Sequence, residues 1–142
     1  MSARDTFLAQ AAQRILVFDG AFGTEIQARR LSEEDFAGDL GLGHDQKGNN
    51  DILALIRPDV IADITRAYFD AGSDIVSTNT FSANRISQAD YGAEALVDDI
   101  NRASARIARA HAAFSCAASA CLRARRPRRW HVAKASSDLL SV

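Results

Sequence analysis

Apolar residues form two kinds of segment along the chain, short continuous runs and longer stretches with helical spacing. Residues 15–18 and 74–78 are short, rich in β-branched side chains and bounded by glycine or polar residues, which predicts two buried strands. Residues 58–71 and 93–114 carry apolar side chains every three or four positions, which predicts amphipathic helices. Shorter helices are expected over residues 4–14, 24–31 and 84–90.

The connections between these segments suggest how they are arranged. Pro58 suits the first turn of a helix, and Gly72 suits the position just after a last turn. Residues 32–50 are polar and predict a long connection, of a kind that is often functional. The alternation of strands and helices predicts an α/β fold with parallel strands and right-handed crossovers.

Polar residues follow each predicted strand at the point where it ends. Asp19 opens a glycine-containing turn after the first strand, and Asn79 lies in a polar loop after the second. Because α/β folds bind ligands at the C-terminal edge of parallel strands, we expect the two loops to form one site. Gly20 and Gly23 would let the chain turn tightly and let backbone N–H groups approach a ligand.

Other interpretations of these residues compete with a binding site. Asp19 is also compatible with an ordinary turn, and Asn79 with a loop cap. A phosphate-binding turn is disfavoured, because Gly20 and Gly23 lack both the lysine of a P-loop and the third glycine of a dinucleotide fingerprint.

Composition and charge divide the chain into two parts. The 142 residues are 47% hydrophobic with a net charge of −1, which fits one globular domain without general affinity for nucleic acid or membranes. Residues 115–142 hold six basic side chains and one acidic one. We therefore expect a domain over residues 1–114, followed by a basic tail that is disordered or translated out of frame. A tail that binds nucleic acid is the less favoured alternative.

The two cysteines, Cys116 and Cys121, both lie in this tail. Two cysteines are too few for a disulfide framework, so a reducing compartment is expected. The first residues lack the apolar core of a signal peptide, and no apolar run reaches the length of a membrane span. The sequence therefore predicts a cytoplasmic protein.

Five short motifs, in order and in register, resemble the N-terminal homocysteine-binding domain of cobalamin-dependent methionine synthase. The resemblance covers about residues 12–112. The motifs are residues 17–24 (Val-Phe-Asp-Gly-Ala-Phe-Gly-Thr), 49–51 (Asn-Asn-Asp), 67–75, 78–81 (Thr-Asn-Thr-Phe) and 100–103.

The resemblance implies a (βα)8 barrel that transfers a methyl group to the sulfur of homocysteine. In that family zinc activates the thiol, and the methyl donor is methylcobalamin, which separate folate- and cobalamin-binding domains supply and recharge. A barrel of this kind needs on the order of 250 residues. The chain therefore corresponds to the N-terminal portion of an incomplete barrel.

The same resemblance assigns roles to individual residues. Asp19 becomes the candidate for the substrate ammonium group. Ser77 departs from the family pattern, in which a glutamate commonly precedes Thr-Asn-Thr-Phe, and this weakens the expected polar contacts at that position. The remaining substrate-binding candidates are Gly20, Gly23 and Thr24 in the first loop and Thr78, Asn79 and Thr80 in the second.

The family's zinc ligands are three cysteines much further along the barrel, and Cys116 and Cys121 match neither of their motifs. A metal site that adds His111 or His131 to these two cysteines is less favoured than two incidental cysteines. We thus expect ligands for neither zinc nor cobalamin in this chain, and no catalytic residue.

The sequence as a whole predicts the substrate-binding front part of a homocysteine S-methyltransferase of methionine biosynthesis, inactive in isolation. A non-catalytic truncated fragment is the main alternative.

Overall fold

The computed structural model describes the backbone of residues 3–122 and the side chains of residues 4–112. This part of the chain is mostly helical, and two 3-10 turns, Asn50–Ile52 and Glu94–Leu96, lead into its fourth and seventh α-helices. The α-helices are α1 (Ala3–Ala11), α2 (Phe22–Ala28), α3 (Glu33–Ala37), α4 (Leu53–Ile56), α5 (Pro58–Ala71), α6 (Arg85–Ala89) and α7 (Val97–Leu122).

The hydrophobic core lies where α4, α5 and α7 pack against one another. Its fully buried members include Ile52, Leu53, Ile61, Ile64 and Ile100. Burial of one such side chain stabilises a fold by about 2 kcal/mol. The apolar spacing that predicted the two long helices is therefore the spacing that buries them.

The ends of α5 follow the predicted signals. Pro58 is its first residue, and Gly72 caps its C-terminus with a left-handed backbone (φ 106°). Glycine reaches this conformation without the steric cost of a Cβ.

The last helix differs from its prediction at both ends. The first residues of the predicted helix form the 3-10 turn Glu94–Leu96, so α7 starts at Val97 rather than at residue 93. At its other end, α7 continues past residue 114 to Leu122. The expected end at residue 114 is therefore wrong. The expected tail over residues 115–142 lies largely outside the described residues, and the domain boundary stays a prediction.

The long polar connection contains a helix that the apolar pattern did not predict. In α3, the Ser32 hydroxyl accepts from the Asp35 backbone N–H while the Asp35 carboxylate accepts from the Ser32 backbone N–H. This reciprocal capping box starts a helix without an apolar stripe. The Glu33 carboxylate then accepts from the backbone N–H groups of Gln46 (2.6 Å) and Lys47 (2.7 Å), which fixes the far end of the connection.

The two predicted strands lie side by side but pair only briefly. Residues 15–18 and 74–78 meet in one isolated parallel β-bridge between Phe18 and Ile75. Residues 3–122 contain no longer ladder, so the parallel direction is confirmed and the prediction of two strands is wrong. Parallel strands are stabilised by neighbours on both sides, and the described residues give each segment one. The (βα)8 barrel therefore stays a prediction.

A partly buried ion pair supports this short parallel contact. The Asp74 carboxylate accepts from both terminal nitrogens of Arg14 at 2.6 and 2.7 Å, and from the Val17 backbone N–H at 3.0 Å. The Asp74 and Ile75 backbone N–H groups donate to the Val17 carbonyl at 2.8 and 3.2 Å. The side chain of Asp74 is 12% exposed, so solvent screens these bonds weakly.

Replacing Asp74 with alanine is expected to lower the free energy of unfolding by about 2 kcal/mol, because three donors lose a charged acceptor. Urea denaturation followed by circular dichroism measures this loss. Asp63→Ala is the matched control, since the ion pair of Asp63 with Arg66 is more than half exposed on both sides and should change the value by less than about 0.5 kcal/mol. Equal losses in the two variants would contradict the role given to Asp74.

Candidate functional site

Asp19 lies at the end of the first extended segment, directly beside Ser77. Its backbone N–H donates to the Ile75 carbonyl at 3.0 Å. Its Oδ2 accepts from the Ser77 backbone N–H at 2.8 Å, and its Oδ1 accepts from the Ser77 hydroxyl at 2.7 Å. The structure thus brings together the two polar stretches that follow the extended segments.

The Asp19 carboxylate keeps capacity for further hydrogen bonds. An ionised carboxylate offers about four acceptor positions, and Ser77 occupies two of them. Asp19 is only partly buried, so part of the residue is open to solvent. Its part in substrate binding stays a prediction.

The turn after Asp19 is made by a different residue from those predicted. Ala21 carries the left-handed backbone (φ 60°), whereas neither Gly20 nor Gly23 has a positive φ. The two glycines therefore do not turn the chain through a positive φ, and their part in substrate binding stays a prediction. A left-handed alanine costs roughly 1–2 kcal/mol, and here it immediately precedes α2, where the Thr24 hydroxyl donates to the Ala21 carbonyl at 2.8 Å.

Gly20 is nevertheless open on its side-chain face. A Cβ added there would meet no described heavy atom within 4 Å, and the residue is exposed. Gly23 lies within α2, where a Cβ would come only to 4.0 Å from the Asn50 amide nitrogen. Of the two glycines, Gly20 therefore leaves the backbone more accessible to a ligand.

The second loop holds its three predicted residues in two different ways. The hydroxyls of Thr78 and Thr80 lie 2.7 Å apart and share a hydrogen bond, with Thr78 exposed. Asn79 is buried, and its amide donates to the Asn50 carbonyl at 2.7 Å while its own carbonyl accepts from Ser104 at 3.0 Å. These bonds favour the loop-cap interpretation of Asn79, and they leave the two threonines as the members that a ligand can reach.

Asp51 supports this loop, and no individual role was predicted for it from the sequence. Its side chain is almost fully buried, and its two oxygens accept from the backbone N–H groups of Phe81 (3.0 Å) and Ser82 (2.7 Å). Burial raises the pKa of Asp51 above its ordinary value, against the lowering effect of the two hydrogen bonds. Its position in the Asn-Asn-Asp motif was the available signal.

The neighbouring Asn49 connects the same motif to α6. Its amide exchanges two hydrogen bonds with the Gln88 amide, at 2.9 and 3.0 Å, and both side chains are buried. Gln88 also donates to the Ser82 carbonyl at 3.2 Å, and Gln46 donates to the Tyr91 carbonyl at 2.8 Å. Apolar periodicity carries no signal for such a network, because every member is polar.

The ligand set that zinc would need is three or four His, Cys, Asp or Glu side chains. No group of three or more such side chains lies together among the described residues. The side chains of Cys116 and Cys121 lie outside the described set, as does His131. The zinc implied by the family resemblance therefore does not fit the residues described.

Within the same part of the chain, no helix is long and apolar enough to cross a membrane.

Comparison with protein-family models assigns most of the chain to a family. The model for homocysteine S-methyltransferase matches residues 16–133, which is most of the chain. The matched region contains both Asp19 and Ser77, and it extends into the basic tail beyond the motifs that carry the resemblance in the sequence.

The raised pKa of Asp51 gives its contribution to stability a definite dependence on pH. At a pH between the unfolded pKa of about 3.9 and the higher folded pKa, Asp51 takes up a proton when the chain folds. The contribution of Asp51 is therefore fully present below about pH 4 and is lost as pH rises through the folded pKa. Urea denaturation from pH 4 to 7 should show wild type losing stability relative to Asp51→Asn.

Asp59→Asn is the matched control for this measurement. Hydrogen bonding to Arg57 lowers the pKa of Asp59, so its contribution is present above the unfolded pKa and is lost as pH falls. Over pH 4–7 the stability difference between Asp59→Asn and wild type should therefore stay nearly constant, while the difference between Asp51→Asn and wild type changes with pH. The same slope for both would refute the assignment of Asp51.

Proposed function

The chain belongs to the homocysteine S-methyltransferase family, and we propose that it forms the amino-acid-binding part of a site for methyl transfer to homocysteine. The observation that carries this proposal is the contact of Asp19 with Ser77, which joins the two loops at one edge. A carboxylate held at such an edge is suited to a ligand with a positively charged amino group.

The substrate would bind through both charges of its amino acid end. Its ammonium group would donate to the lone pairs of Asp19 that Ser77 leaves free. Its carboxylate would need N–H or O–H donors, and the candidates are the accessible backbone at Gly20 and the hydroxyl pair of Thr78 and Thr80, which has one proton left to donate. The Thr24 hydroxyl would first have to release the Ala21 carbonyl. Support for these roles comes from the exposure of Gly20, Thr24 and Thr78.

Activation of the thiol requires groups other than those described. A thiol with a pKa near 8.5 is mostly protonated at neutral pH and is then a weak nucleophile. Zinc would supply the deprotonation when bound, but the described residues provide no set of ligands for it. We assign to this chain the binding and orientation of the amino acid.

The wider setting of the reaction belongs to the same proposal. We place the chain at the front of a (βα)8 barrel that acts in methionine biosynthesis in the cytoplasm. Zinc and cobalamin would be its cofactors, and folate- and cobalamin-binding domains its partners.

A second candidate function is binding of homocysteine without catalysis. The absence of a three-ligand group among the described residues favours it. A basic tail that binds nucleic acid rests on residues that lie outside the described part of the chain, and no structural observation favours it.

Calorimetric titration of the full chain with L-homocysteine, with and without zinc, tests the proposal. We expect weak binding that zinc does not strengthen, and no methyl transfer from methylcobalamin. Asp19→Asn should weaken binding at least about tenfold, because it removes the charge that attracts the ammonium group.

Asp39→Asn is the control, since it removes the same charge from an exposed position in the long connection. Its affinity should equal that of wild type. Equal affinities for wild type and Asp19→Asn would overturn the proposed site, whereas tighter binding with zinc would show that the chain holds the metal.

A further inference from the structure

Ser77 is the residue that holds the Asp19 side chain, and we propose that it positions this carboxylate for the ammonium group of the substrate. The inference rests on the proposed function and adds to it a residue that selects the amino end of the ligand. Ser77 acts through Asp19, so it is a positioning residue rather than a catalytic one.

Two hydrogen bonds of different origin fix the Asp19 carboxylate. The Ser77 backbone N–H reaches Oδ2 at 2.8 Å, and the Ser77 hydroxyl reaches Oδ1 at 2.7 Å. The backbone of Asp19 is held separately, because its N–H donates to the Ile75 carbonyl. Because both of its oxygens are hydrogen-bonded to Ser77, the carboxylate is held in one orientation, and its free lone pairs face away from Ser77.

These two hydrogen bonds reduce the conformational entropy that is lost when a ligand binds to Asp19. A free aspartate side chain rotates about two torsions, and a ligand that binds it must immobilise them. Since Ser77 has already immobilised Asp19, the ligand gains its charge-assisted hydrogen bonds without that cost. The effect is specific for a ligand that uses Asp19, which means one with a positively charged amino group.

The residue type at position 77 determines one of these two hydrogen bonds, the one from the hydroxyl. Ser77 is the position at which the chain departs from the pattern that the sequence resembles, where glutamate is common. An ionised glutamate has no side-chain proton to donate, and it would add a second negative charge beside Asp19. Serine instead supplies a donor and leaves one carboxylate at the edge.

The test compares three forms of the full chain against two ligands. Ser77→Ala removes the hydroxyl and keeps the backbone bond, whereas Ser77→Thr keeps both. The ligands are L-homocysteine and 4-sulfanylbutanoate, which is homocysteine without its amino group. Ser77→Ala should bind homocysteine about fivefold more weakly, the effect of one hydrogen bond, and should bind 4-sulfanylbutanoate like wild type. Ser77→Thr should match wild type for both ligands.

A measurement without ligand separates the role of Ser77 from the proposed function. Three-bond couplings between the α and β protons of Asp19 report its rotamer by nuclear magnetic resonance. We expect one rotamer in wild type and Ser77→Thr, and averaged couplings in Ser77→Ala. Averaged couplings in wild type, or an equal loss of both ligands in Ser77→Ala, would overturn the role of Ser77. A single Asp19 rotamer in a wild-type chain that binds neither ligand would overturn the proposed function, and with it the substrate role of Ser77.

Discussion

The structure depends on two aspartates that hold together two segments distant in sequence, because each aspartate accepts a hydrogen bond from the backbone of the other segment. Asp74 accepts from the backbone of Val17, and Asp19 accepts from the backbone of Ser77, so each segment satisfies an N–H group of the other. A single β-bridge alone would hold the two segments weakly, because a short parallel pairing without further strands has few hydrogen bonds. The carboxylate that we assign to substrate binding is therefore also part of what aligns the fold.

The second loop depends on a polar segment, residues 49–51, in which Asn49 and Asp51 are buried. Asp51 accepts from two backbone N–H groups of the loop, and the Asn50 carbonyl accepts from the side-chain amide of Asn79 in the same loop. Asn49 forms hydrogen bonds with Gln88 on the following helix. Irregular backbone that is buried needs such partners, since it has no ladder of its own. The helical core therefore reaches the site through polar contacts, and a change at Asp51 would act directly on the backbone of the loop.

Local signals in the sequence predicted some of this structure and missed the rest for identifiable reasons. Pro58 and Gly72 define the ends of α5 correctly, because caps are properties of a few adjacent residues. In the turn after Asp19 the left-handed residue is Ala21, although glycine is the usual residue in this conformation. Neighbouring structure therefore overrides the local preference of alanine. The two strands fail because pairing requires partners that composition does not reveal, and the long-range bonds of Asp51 leave no periodic trace. The resemblance placed Asp19 in a loop next to the second one, and it could not supply the contact with Ser77.

The central claim is that the two loops joined by Asp19 and Ser77 receive the amino acid end of homocysteine. The most direct measurement is a titration of the 15N-labelled full chain with L-homocysteine, followed through the backbone amide resonances. We predict that the largest shifts fall within residues 19–24 and 77–80, with small shifts in α5. Largest shifts elsewhere, for example in the connection over residues 32–50, or no shift at a saturating concentration of ligand, would contradict this site.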